Sequence, residues 1–272
     1  MPALNSISSD KLLRLIGTPA SPTIIDVRPD GEGLIPGARR LVADDVAQWA
    51  STIQASSAVV VCVKGLEKSA GVAAWLRHAG IDAEVLEGGF VGWASANRPV
   101  VNETLIPPRN TEGRTVWVTR ARPKVDRIAC PWLIRRFVDP DAIFLFVAPS
   151  EVAGVAKRFG ATPFDVEGVF WSHRGELCTF DVMIEEFGLA SIYPLNKLAV
   201  IVRGADTARP DIAPQAAGLL ALSLGLSRMY SDDLEQLEAG MPLYDALYRW
   251  CRDATDETHD WVSHTPKPRA PR

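Results

Sequence analysis

The chain is poor in cysteine, tyrosine and methionine, and it has no long apolar run. Its four cysteines (Cys62, Cys130, Cys178 and Cys251) are spread over 272 residues with no CxxC pair. That distribution excludes a disulfide scaffold and a zinc knuckle, and it suits a reducing compartment. The most apolar stretch, Ala216 to Leu226, is too short to cross a bilayer and contains Ser223 and Gly225, so neither a membrane partner nor a transporter is expected. The opening MPALNSISSDKLLRLIG lacks a basic segment followed by an apolar one, which predicts no secretion signal and a cytoplasmic location. An excess of positive charge is also missing. Lys and Arg number 29 against 33 Asp and Glu, for a net charge of -4, so no chain-wide basic field exists for nucleic acid. What is present, 47% hydrophobic and 23% charged residues, describes a folded chain with ample material for a core.

The texture breaks at NETLIPPRNTEGR (Asn102 to Arg114), where Pro107-Pro108 forces an extended backbone. This divides the chain into residues 1–103, a linker over 104–113, a second region over 114–252, and a tail from 253 to 272 that has too few apolar residues to pack. The first region predicts an α/β domain with a mostly parallel sheet and helices on both faces. Buried strands are expected at Thr23–Val27, Ala58–Cys62 and Ala83–Leu86. Helices are expected over Asp44–Ala50, over Ser69–Ala79 and through Trp93. The second region predicts strands at Thr115–Thr119, Ile143–Val147 and Val169–Ser172, and a helix from Arg127 to Phe137. Nearly continuous helix follows, over Asp181–Phe187, Leu195–Arg203, Pro214–Tyr230 and Asp232–Cys251. Strands followed by helices indicate an α+β, largely helical domain. The Leu219–Leu226 run is expected in the core, with Trp117, Trp132 and Trp171 as packing residues.

The stretch AVVVCVKGLEKSAGVAAWL places Cys62 at the C-terminal end of a buried strand, before a loop and a helix. Ligands bind at that edge in open α/β sheets. Loop amides and a helix N-terminus make a concave anion site and favour thiolate over thiol. Lys64 and Lys68 add positive charge, partly offset by Glu67. The alternative is that Cys62 ends the strand as a small buried hydrophobe.

Residues 1–101 resemble a rhodanese domain. The matching pieces are IIDVR (Ile24 to Arg28), IPGA (Ile35 to Ala38), the strand–Cys62–loop–helix unit and LEGGFVGW (Leu86 to Trp93), in the family's order. The resemblance implies that Cys62 is a nucleophile that carries a persulfide and passes sulfur from a donor such as thiosulfate. It also implies that the amides of Val63, Lys64, Gly65, Leu66, Glu67 and Lys68 cradle an anion. Sulfurtransferases of this fold place four residues between the cysteine and a closing basic residue, whereas five separate Cys62 from Lys68 here. Alignment from Ser69 would put Val63 at the nucleophile position. Alignment from the strand keeps Cys62, solvent-facing, in a longer loop. A longer loop resembles the rhodanese-fold phosphatases and arsenate reductases, which hold a tetrahedral oxyanion.

In the second region, WVTRARPKVDRIACPWLIRRF (Trp117 to Phe137), FDVEGVFWSHRGELCTFD (Phe164 to Asp181), IVRGADTARPDIAPQAAGLLALSLGLS (Ile201 to Ser227) and LYDALYRWCR (Leu243 to Arg252) resemble the ChrB-type chromate-resistance domain. The resemblance implies a role in chromate resistance, with chromate binding or a chromate-responsive regulatory function as alternatives. On chemistry alone, His173, Glu176, Cys178 and Asp181 lie close together in sequence, and Asp206 would complete a divalent-metal site. Arg120, Arg122, Lys124 and Arg127, with Arg135 and Arg136 beyond them, would either converge on a chromate dianion through paired N–H donors or form a face for DNA phosphates. The remaining alternative is an ordinary solvated surface. Cys130, near a helix start, would be a thiolate or packed and inert.

Overall fold

The computed structural model describes residues 5–258; the predicted tail lies outside them from residue 259 onward. Its first sheet contains β1 (Ser6–Ile7), β2 (Thr23–Asp26), β3 (Ala38–Arg40), β4 (Ser57–Val61) and β5 (Asp82–Leu86). Their order is β1-β5-β4-β2-β3, and every pairing is parallel. The crossovers carry α1 (Ser9–Leu15), α2 (Val46–Trp49) and α3 (Glu67–His78), and α4 (Gly89–Ser95) follows the last strand. Successive side chains on a strand point to opposite faces, so the apolar run of β4 serves two cores. Ala58 and Val60 pack with Ile25, Val72 and Leu76 beneath α3. Val59 and Val61 turn the other way and join Ile24, Leu12 and Trp93.

The second region has its own small parallel sheet. Strands β6 (Val116–Arg120), β7 (Ile143–Val147) and β8 (Thr162–Pro163) stand in the order β7-β6-β8. Helices α5 (Asp126–Leu133) and α6 (Val152–Phe159) are its crossovers, and α7 (Thr179–Glu186), α8 (Tyr193–Asp206), α9 (Gln215–Met229) and α10 (Asp233–Asp253) make the helical remainder. The helix expected over 127–137 closes as a π turn at Ile134–Val138, after Pro131 has removed an amide from the ladder. Helix α6 was not anticipated.

Two expectations need correction. Residues 169–172 are not a strand: Trp171 makes an isolated bridge to Phe164, and its ring stacks on Phe187 at 4.6 Å. The positive φ values at Asp165 and Gly168 turn the chain there, and the third strand position falls to Thr162–Pro163. The Leu219–Leu226 run is core only in part, at Leu219 and Ser223 with Leu220 packed alongside. Its helix buries Ala216, Leu219, Ser223 and Ser227, one narrow stripe at helical spacing, and leaves Leu222 54% and Leu224 45% exposed. The three tryptophans pack as expected, with Trp117 and Trp132 fully buried and Trp171 4% exposed.

A single apolar core joins the two regions, taking in Leu12, Ile24 and Trp93 from one side and Trp132, Phe137 and Tyr248 from the other. Backbone bonds cross the same boundary, from the Gly37 amide to the Phe137 carbonyl (2.6 Å) and from the Asn102 amide to the Phe187 carbonyl (3.0 Å). The linker itself is tied down. Arg109 pairs with buried Asp139 at 3.0 Å, and Asn110 accepts from the Glu112 and Arg114 amides. No described helix is long and apolar enough to cross a membrane.

Candidate functional site

At the C-terminal edge of the first sheet, β4 ends at Val61 and α3 begins at Glu67, two residues earlier than the sequence pattern suggested. The loop is therefore Cys62 to Leu66, and Glu67 and Lys68 are exposed residues in the first turn of the helix, whose amides have no acceptor within it. Val63, Lys64 and Leu66 are exposed as well. Cys62 is not solvent-facing as predicted: it is 6% exposed. Its Sγ accepts from the Gly65 amide at 3.2 Å and lies 3.1 Å from the Ser69 hydroxyl. Burial pushes the thiol up, but hydrogen bonds from Ser69 and from the loop backbone outweigh it, so the Cys62 pKa falls below the ordinary thiol value.

The loop is pinned from outside by the N-terminus of α4. The Phe90 and Val91 amides donate to the carbonyls of Cys62 and Val63, at 2.9 and 3.0 Å. Gly65 (φ +72) and Gly89 (φ +58) approach each other backbone to backbone, leaving no room for a Cβ on either. Below, the Asp26 carboxylate holds Arg28 in a fork, and the Arg28 guanidinium lies 3.5 Å from the centre of the Phe90 ring.

The other cysteines are buried and their thiols are raised. Burial leads in each, with Asp126 adding to it at Cys130 and Cys178; Cys251 is pushed up to about 11. Cys130 is thus a packed thiol. Cys62 is accordingly expected to react first with iodoacetamide at neutral pH, and its rate should level off at a lower pH than that of a free thiol. Peptide mapping by mass spectrometry reads both; earlier labelling of Cys130 or Cys251 contradicts the assignment.

A second concentration of chemistry lies at the C-terminal edge of the small sheet. The chain leaves β6 through Arg122 and Val125, both at positive φ (58° and 36°). A β-branched residue there is strained. Val125 is held by its amide on the Ser223 hydroxyl (2.9 Å) and by the Tyr244 hydroxyl on its carbonyl (3.0 Å). The turn delivers Asp126, fully buried, to the first position of α5. His173 meets it there: its Nε2 is 3.6 Å from Asp126 Oδ2, 3.4 Å from Asp165 Oδ1 and 3.2 Å from Asp206 Oδ2.

Burial, then Asp206 and Asp165, hold the Asp126 carboxyl well above the usual range. Burial also pushes Asp165 up, but His173, Thr179, Arg127 and Arg120 outweigh it and leave Asp165 low. Hydrogen bonds to Asp165 and Asp206 raise His173 to about 10 against the effect of burial.

Of the residues expected here, His173 and Asp206 come together. Glu176 does not: its carboxylate is 86% exposed and pairs with Arg209 at 3.3 Å. Cys178 and Asp181 instead cap α7, the Cys178 amide donating to Asp181. Asp126 and Asp165 were missed. Asp126 is the one acid in the basic stretch 114–136, between Val125 and Arg127, and that isolation was its signal.

The arginines do not converge on an open anion site, because carboxylates and carbonyls of this chain already engage them. Arg120 and Arg127 bind Asp165, each at 3.2 Å. Arg122 holds the Ser227 and Tyr230 carbonyls at the end of α9 and Asp233 at the start of α10. Arg135 pairs with Glu238, and Arg136 with Asp245. Lys124 is exposed.

Comparison with known proteins matches these two halves separately. The rhodanese-like domain family matches residues 8–96, and the C-terminal domain of ChrB matches residues 117–251. The chain is 35% identical over 147 residues to protein ChrB of Cupriavidus metallidurans, across 52% of this chain and 42% of that protein; it thus spans well under half of this curated relative's length. Among solved structures it is similar to a rhodanese-related protein of Thermoplasma volcanium (24% identical, 36% of this chain and 98% of that one, TM-score 0.32). It is also similar to a rhodanese-like domain protein of Staphylococcus aureus (30% identical, 33% and 91%, TM-score 0.30). A parallel α/β sheet with its cysteine loop at the strand ends, followed by a largely helical region, is in this chain a rhodanese-like domain joined to a ChrB C-terminal domain.

Proposed function

We propose that the chain acts in chromate resistance, with Cys62 of the rhodanese-like domain as a sulfur nucleophile toward a small thio-anion or oxyanion. The observation that carries this reading is the pairing of the Gly65 amide and the Ser69 hydroxyl on the Cys62 sulfur. The Gly65 amide donates to the sulfur, and the Ser69 hydroxyl, which also lies 3.0 Å from the Leu66 carbonyl, is within reach to turn its proton to a thiolate, so both favour the form that attacks. With thiosulfate as donor, the thiolate attacks the outer sulfur, the S–S bond breaks, and sulfite leaves with the bonding pair. Cys62 then carries a persulfide. A thiophilic acceptor such as cyanide takes the outer sulfur as thiocyanate and returns the thiolate, so no external oxidant or reductant is consumed. The link to chromate rests on kinship with ChrB.

The test is cyanide-dependent release of thiocyanate from thiosulfate. Cys62→Ser is expected to fall to the uncatalysed background. Ser69→Ala is expected to retain activity but to need higher pH, because the thiolate loses its hydroxyl donor. Equal rates for wild type and Cys62→Ser would remove Cys62 from the chemistry.

A further inference from the structure

We propose that Asp126, His173 and Asp206 bind one divalent transition cation, of the Mn2+, Fe2+ or Zn2+ class, at the C-terminal edge of the small parallel sheet. The inference is independent of the role given to Cys62. Three separate segments supply the donors: the start of α5, the loop after β8, and the end of α8. One ligand atom from each of the three residues lies within 4.8 Å of the others. Ligands that sit about 2.0–2.2 Å from a cation in tetrahedral or octahedral geometry stand about 3.0–3.5 Å from one another. His173 Nε2 is already 3.2 Å from Asp206 Oδ2 and 3.6 Å from Asp126 Oδ2. Small side-chain adjustments would close the set around an ion.

Asp126 supplies the second observation. It is fully buried, and its Oδ1 has no hydrogen-bond partner. Its other oxygen, Oδ2, the one that faces His173, accepts from the Thr179 and Phe180 amides, at 2.6 and 3.3 Å. A buried carboxylate oxygen left open costs free energy unless a cation or donor meets it. The nearby guanidinium groups do not: Arg120 and Arg127 both take Asp165. Asp126, Asp165 and Asp206 thus share one imidazole among them.

Asp165, held by those arginines and by the Thr179 hydroxyl (3.0 Å), stands 3.4 Å from the same His173 Nε2, so its carboxylate borders the ion's position on the ligating side of the ring. The imidazole argues against Mg2+ and Ca2+, and the carboxylates with no thiolate argue against Cu(I). The His173 side chain is 40% exposed, which leaves a path from solvent.

The full chain, purified without an affinity tag and stripped with EDTA, should be titrated with Mn2+ while the paramagnetic resonance of free Mn2+ is followed. Elemental analysis after loading with Zn2+ or Fe2+ runs in parallel. One ion per chain is expected. Asp206→Asn should weaken binding by about tenfold or more, while its amide oxygen still accepts the Asp126 amide. Glu176→Gln should leave binding unchanged. If circular dichroism shows Asp206→Asn misfolded, His173→Gln, on the partly exposed side of the cluster, takes its place. Failure of the stripped wild-type chain to take up any of the three cations overturns the proposal. Equal affinity in wild type and a folded variant overturns it too.

Discussion

Gly89→Ala is expected to lower the stability of the chain by several kcal/mol and to disturb the Cys62 thiol without touching it. Two physical effects add. Gly89 has φ +58, which costs an alanine about 1–2 kcal/mol. Its new Cβ would also stand 2.5 Å from the Gly65 amide nitrogen and press on the Cys62 carbonyl. Crowding of this kind costs about 1–3 kcal/mol elsewhere, and here the neighbour is backbone that cannot swing aside. Relief requires the backbone at Lys64–Gly65 to shift away from α4, which turns the Gly65 amide from the Cys62 sulfur. Urea denaturation should show a lower midpoint, and the pH at which Cys62 alkylation levels off should rise. Gly160→Ala is the control: it has φ +62 and open space around the new atom, so it carries the conformational cost alone. Equal midpoints for the two variants would mean that the close approach of Gly65 and Gly89 does not constrain the loop.

Trp132→Ala is expected to cost about 3–5 kcal/mol and to loosen both halves of the chain together. The indole is fully buried, donates to Asp245 at 2.8 Å, and packs against Phe137, Phe180, Tyr244 and Tyr248. Phe137 carries the effect across the boundary: its ring fills the space over Gly17, and its carbonyl accepts from the Gly37 amide. Denaturation followed by tryptophan fluorescence and by accessibility of Cys62 should therefore move to lower urea by the same amount. Protection of Cys62 that persists after the fluorescence transition would show that the first sheet stands without the shared core.

The linker reading shows where a one-dimensional pattern stops. Pro107-Pro108 and the polar residues after them signal a break in regular structure, and none of the described helices or strands longer than one turn begins there. Whether such a break also separates two independent bodies depends on surfaces that residues 104–113 do not contain. Gly17, Gly37 and Val100 belong to the first half, and each lies against a partner in the second: Phe137, the Arg136–Phe137 backbone and Gly188. These contacts are between residues roughly a hundred positions apart, and no local periodicity encodes them.

The apolar run of α9 fails in the same way. Hydrophobicity alone placed Leu222 and Leu224 inside, but the helix turns its small residues, Ala216 and Ser223, toward the core. Close packing against α8, where Gly204 faces Ala216, and the Ser223 bond to Val125 select that face. The candidate metal donors divide similarly. His173 and Asp206 were legible because imidazole and carboxylate are ligand types wherever they stand. Glu176 was chosen for nearness in sequence, and Asp126, forty-seven positions before His173 (173 − 126), was passed over.

Local chemistry determined the strands of the first sheet, the helix that follows Cys62 and the family resemblance of both halves, because β-branched runs, glycine stops and apolar spacing act over a few residues. Folding in three dimensions decided the rest. It recessed the Cys62 sulfur beneath loop amides, engaged the arginines with the chain's own acids, and brought Asp126 to His173. Each of those outcomes depends on electrostatic and packing partners that meet only when distant segments close on one core.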